Sequence, residues 1–112
     1  MAISTVKSGH PVILYGNNTY RNDIGKTITL LHDIKDYEFL RITLYGSSNV
    51  SAQKCILTIP NMCGDVGSGN YPVAFNGTNY VARLLISGTE ITFTSCTAST
   101  AFIANVRGFK KR

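Results

Sequence analysis

Tyr37-Glu38-Phe39-Leu40-Arg41-Ile42-Thr43-Leu44-Tyr45 is the stretch on which the fold turns. Leu40, Ile42 and Leu44 fall at every second position, and a period of two is that of a β-strand. Tyr37, Phe39, Arg41, Thr43 and Tyr45 share the opposite face. That second face is aromatic and amphipathic instead of plainly solvated, so it too is expected to be covered. A symmetric interface would cover it, and so would a packed loop of a two-layer sandwich; the first makes Tyr37, Phe39 and Tyr45 candidate oligomer-interface residues.

Outward from this strand the same grammar recurs. Pro11-Val12-Ile13-Leu14-Tyr15 is a short apolar strand closed by the turn residues Gly16-Asn17-Asn18. Lys26 to Leu31 places Ile28 and Leu30 on one face and Thr27 and Thr29 on the other. Ser51 to Ile59 reads as a strand ending at Pro60, and the Gly-rich Asn61 to Asn70 reads as a long loop. Asn79 to Ser87 and Glu90 to Ser95 form a hairpin through Ser87-Gly88-Thr89, and Ala101 to Phe109 closes the chain as a last strand. Leu31 to Tyr37, the one helical candidate, is too short and too charged to be more than a turn. About eight strands at this spacing predict an all-β fold, an antiparallel β-sandwich of jelly-roll-like type.

Composition bounds the rest. The 112 residues fit one domain, 1–112, with 107–112 as a basic C-terminal tail. Charged residues are 15% of the chain, against about 25% in typical domains. With 44% hydrophobic residues, that excludes intrinsic disorder. No apolar run approaches the roughly 18 residues of a membrane span, and no signal-peptide pattern opens the chain, so a soluble protein without membrane insertion is expected. The net charge of +5 is concentrated at Arg107, Lys110, Lys111 and Arg112; the remaining seven bases face six acids. Nucleic-acid domains spread their bases over a face or along a helix, so nucleic acid is not the expected partner. Cys55, Cys63 and Cys96 are odd in number and read as free thiols from a reducing compartment. The Asn-x-Ser/Thr triplets at Asn17, Asn49 and Asn76 read as turns.

No catalytic motif emerges. Asp33, Asp36 and Glu38 cluster beside His32, but their spacing matches no calcium loop and Lys35 sits among them. The cysteines and histidines lack the paired spacing of a zinc site. Gly64 to Gly69 lacks the Gly-Lys-Ser/Thr ending of a phosphate loop. The expectation is therefore no catalytic residue, no metal and no cofactor. What remains is surface: tyrosine and asparagine in loops make adaptable contacts at low entropic cost. Tyr15, Asn17, Asn18, Tyr20, Tyr71, Asn79 and Tyr80 are the candidate binding residues. Tyrosine rings stack on sugar faces while amides bond the hydroxyls.

Val12-Ile13-Leu14-Tyr15-Gly16-Asn17, Gly25-Lys26-Thr27-Ile28-Thr29-Leu30 and Ile34-Lys35-Asp36-Tyr37-Glu38-Phe39-Leu40 resemble the C-terminal β-domains of tailed-phage tail-fibre, tailspike and head-fibre proteins. Those domains also finish with a strand like Phe102-Ile103-Ala104-Asn105-Val106-Arg107-Gly108-Phe109. The resemblance covers about half of the chain directly. It implies a homotrimeric, virion-associated module, made in the bacterial host cytoplasm, that attaches a fibre or spike to a bacterial surface glycan or outer-membrane protein. It carries over no catalytic residues. Met1 opens almost directly onto the domain, which fits either an excised domain or a small standalone protein. The alternatives are a structural trimerisation or capsid-decoration domain without a receptor and, behind it, a nucleic-acid-binding or small glycan-hydrolase domain.

Overall fold

The computed structural model describes residues 11–17, 22–46, 54–62, 65–66 and 69–110. Among the described residues two antiparallel sheets pack face to face. One has five strands: β1 (Pro11–Gly16), β9 (Phe102–Phe109), β3 (Phe39–Tyr45), β4 (Lys54–Met62) and β5 (Asp65–Val66), in that spatial order. The other has four: β2 (Thr27–Thr29), β8 (Glu90–Cys96), β7 (Thr78–Ser87) and β6 (Gly69–Phe75). Consecutive strands β1 and β2 pair with β9 and β8, so the two ends of the chain cross between the sheets side by side. That is the winding of a jelly roll. The middle departs from it, since β3–β4–β5 and β6–β7–β8 are simple meanders within one sheet each.

Alternation explains the layers. Leu40, Ile42 and Leu44 of β3 are fully buried, and so are Ile59 of β4, Ile103 and Val106 of β9, Leu84 of β7, and Ile91 and Phe93 of β8. Together they form one core between the sheets. Ile28 and Leu30 are buried while Thr27 and Thr29 face out, as the period of two requires.

Four sequence expectations need correction. The segment 61–70 is not a long loop: β4 continues to Met62, β5 folds back on it, and β6 opens at Gly69. β4 runs through Pro60, which pairs with Phe39 on one side; β5 pairs only with Asn61 and Met62, so among the described residues no strand pairs with Pro60 on the other side, where its missing N–H costs no ladder bond. Tyr37 does not share a face with Phe39. It caps the 3-10 turn Ile34–Asp36, ahead of β3, and its ring is buried on the core side against Gly108. Arg107 belongs to β9, not to a tail, because the β1 and β3 ladders hold that strand through Phe109. Strand β6 is joined to β7 by the two-residue turn Asn76-Gly77, with φ of 52° and 80°. Two positive φ values in a row are what a type I′ turn demands. Asn18, Tyr20, Cys63, Lys111 and Arg112 lie outside the described residues.

Candidate binding site on the outer face of the five-stranded sheet

Two β-bulges shape this face. β9 pairs with β3 as Thr43↔Asn105 and then Leu44↔Ile103, which leaves Ala104 as an extra residue. Simple alternation from the outward Asn105 would send Ile103 out and Phe102 in. The bulge reverses this: Ile103 enters the core and Phe102 turns outward beside Tyr45, their centroids 5.4 Å apart. A second bulge, at Leu14, lies where the register of β1 on β9 steps from Ile13↔Arg107 to Tyr15↔Val106. Bulges commonly re-aim side chains at functional sites.

A depression of about 390 Å³ opens between the two bulges. Ile13, Tyr15, Gly16 and Asn17 line it from β1 and its end, and Tyr45 from β3. β9 contributes Phe102, Ala104, Asn105 and Arg107. The volume lies within the usual range for a small-ligand site, roughly 300–1,000 Å³. Phe102, only 2% exposed, backs Tyr45, whereas Ile13 is 57% exposed at the rim. The Asn17 N–H donates to the Ala104 carbonyl at 2.8 Å, which ties the end of β1 to the bulge. Beyond Asn17, residues 22 and 23 take over as the partner of β9. The Asp23 N–H donates to the Ala101 carbonyl at 2.8 Å, and the Ile103 N–H donates to Asp23 Oδ2 at 2.9 Å. Asp23 is fully buried and holds the backbone one residue from the bulge.

Further along the same face, Phe39 and Phe109 stack at 4.5 Å with their planes 5° apart. The Arg41 guanidinium stands over the Phe109 ring at 4.9 Å. The outward rows of β1, β9, β3 and β4 thus carry Arg41, Lys54 and Arg107 and, among the described residues, no carboxylate.

The candidate residues named from sequence divide into two groups. Tyr45 and Asn17 line the depression, Tyr15 lines it while packing against the core, and Phe39 lies on the same face as Tyr45. Tyr71, Asn79 and Tyr80 sit on β6 and β7, where β6 packs on β4, the side of the sandwich away from β1. Tyr71 and Tyr80 point inward and pack against the core, while Asn79 is exposed. Burial raises the Tyr71 pKa above its ordinary value. Burial, then the Asp36 charge, does the same for Tyr37. Asn105 and Arg107 were missed. The available signal was the unbroken apolar run Ala101-Phe102-Ile103-Ala104, which cannot alternate and so hints at a bulge just before them.

No protein-family model, curated protein or solved structure matches the chain. Among the described residues no three His, Cys, Asp or Glu side chains gather where they could hold a metal ion, and no helix is long and apolar enough to cross a membrane. Cys55 and Cys96 are unpaired thiols packed against the core.

Proposed function

We propose that the chain is a non-enzymatic binding module that attaches a virion appendage to a saccharide of the bacterial surface, and that it works as a homotrimer. One observation carries this reading: the depression between the two bulges combines a tyrosine ring, a buried aromatic backing, two asparagine amides and a guanidinium. Apolar rings matched to sugar faces, with amides placed for hydroxyls, form the usual composition of a pocket that grips a polar ring. The sequence resemblance to phage fibre and spike domains supplies the setting. A rigid sheet, in place of mobile loops, holds the groups in register.

The test is binding of the labelled chain to bacterial cells and to a glycan array. Asn105→Ala and Tyr45→Leu are expected to abolish binding while the far-ultraviolet dichroism stays unchanged. Asn79→Ala, on the far side of the sandwich, is expected to leave it intact. A chain that binds neither cells nor glycans overturns the proposal in favour of a purely structural domain. Loss through Asn79 alone would move the site to the β6–β7 side.

A further inference from the structure

We infer that the depression takes an acidic saccharide and that Arg107 binds its carboxylate or phosphate group; this rests on reading the depression as a sugar site. Arg41 and Arg107 are direct cross-strand partners on the outward rows of β3 and β9. Like charges in that relation destabilise a sheet. Arg41 finds compensation over the Phe109 ring. Arg107 instead lines the depression with an exposed side chain, and no carboxylate among the described residues pairs with either guanidinium. Lys54 adds a third positive charge to the same face. Among the described residues, then, no carboxylate neutralises the pair, one member of which lines the depression, and an anionic ligand there would relieve it.

The geometry of the groups fits one sugar residue bearing such a charge. A guanidinium presents a planar fork to the two oxygens of a carboxylate or phosphate. Asn105 lies two positions before Arg107 on the same strand and the same face, about 7 Å away along the backbone. From there its amide reaches the hydroxyls beside the charged group, and Tyr45 offers an apolar face to the ring. The other polyanion to consider, a single-stranded nucleic acid, needs open aromatic platforms for successive bases. Phe39 and Phe109 are stacked on each other and so are not open in that way.

The experiment measures binding of the full chain at low ionic strength to four soluble probes: polygalacturonate, poly(glycerol phosphate), dextran and oligothymidylate. At least one acidic polysaccharide is expected to bind well above dextran, and its identity distinguishes carboxylate from phosphate recognition. Arg107→Gln should lower that affinity roughly ten- to a hundredfold, the worth of a hydrogen-bonded ion pair. Lys26→Gln removes the same charge beside β2, at the other sheet, and should leave affinity unchanged. Thermal unfolding of both variants confirms that the exposed substitutions keep the fold. Acidic binding that survives Arg107→Gln, or binding to oligothymidylate tighter than to either acidic polymer, overturns the inference. Dextran binding that is lost in Asn105→Ala but untouched by Arg107→Gln refutes the anionic ligand and leaves the sugar site standing. Failure of every saccharide refutes both.

Discussion

At the scale of single residues, the most constrained position is Gly108. A Cβ there would meet Cγ and Cδ1 of Tyr37 at 2.6 Å, so the ring lies where any other side chain would stand. Tyr37 is itself only 5% exposed and closes the core where the 3-10 turn meets β9. Gly108→Ala is therefore expected to force the ring out of place and to lower the unfolding free energy by about 1–3 kcal/mol, the usual cost of overpacking. A urea midpoint equal to that of the parent would show that the ring swings aside freely. The same burial makes Tyr37, and likewise Tyr71, sensitive to high pH, because both hydroxyls hold their protons above the ordinary value. The sign follows from linkage: above about pH 10 the unfolded chain releases these protons while the folded chain retains them. Their stabilising contribution is complete below that pH and is lost as pH rises through the folded values. The urea midpoint should thus fall above about pH 10, and less steeply in the Tyr37→Phe, Tyr71→Phe double variant. Equal slopes in the two proteins would remove these tyrosines as the cause.

At the scale of elements, what holds the site open is the handover from β1 to residues 22 and 23 along the edge of β9. Asn22 Oδ1 accepts from the Ala101 N–H at 3.3 Å and from the Ile24 N–H at 3.2 Å, and Asp23 takes the Ile103 N–H. Asp23→Ala leaves that buried donor without its acceptor and should cost about 2 kcal/mol, whereas Asp23→Asn retains an oxygen and should cost less. Equal losses in the two variants would argue that the charge, not the hydrogen bond, matters. These elements also mark where the sequence could be read. β3 was legible because its alternation is strict, and so was the hairpin at Gly88-Thr89, where Gly88 takes a φ of 58°. The Asn76-Gly77 turn carried an equally strong signal but is spelt like a glycosylation triplet, and β6 went unread with it. The bulges at Leu14 and Ala104 were not legible as such. Each shifts the register by one residue, and alternation alone cannot say which member of an apolar run is the extra one. The site depends on those two shifts. Tyr15, Asn17 and Tyr45 could be named as candidates, but their meeting with Asn105 and Arg107 could not. Counting charges along the chain assigned Arg107 to a tail, although pairing on both sides makes it part of the sheet.

At the scale of the whole molecule, the question is what the remaining apolar surface meets. With 15% charged residues, the chain has few charges with which to cover its surface. On the face that holds the depression, Ile56 of β4 stays 49% exposed beside Thr43 of β3, with Thr58 and Arg41 in the next outward positions and Pro60 and Phe39 beyond them. An isoleucine this exposed on a sheet face, next to a polar pocket, suits contact between copies better than contact with water. In the proposed trimer Ile56 is buried at the contact and the depression, towards β1, stays open to the ligand. Light scattering coupled to size exclusion should then give a mass near three times 12.2 kDa. Ile56→Asp should bring that mass down to one chain, because a carboxylate buried at a subunit contact without a partner costs several kcal/mol. The exposed position makes the substitution harmless to the isolated fold, so an unchanged circular dichroism spectrum is expected with the reduced mass. A trimer that survives Ile56→Asp would place the contact elsewhere, with Val81 and Leu85 on the outer face of β7 as the next apolar positions to alter. A parent chain that elutes as a monomer would refute the trimer, and the depression would then have to bind its saccharide without the avidity that three linked copies provide.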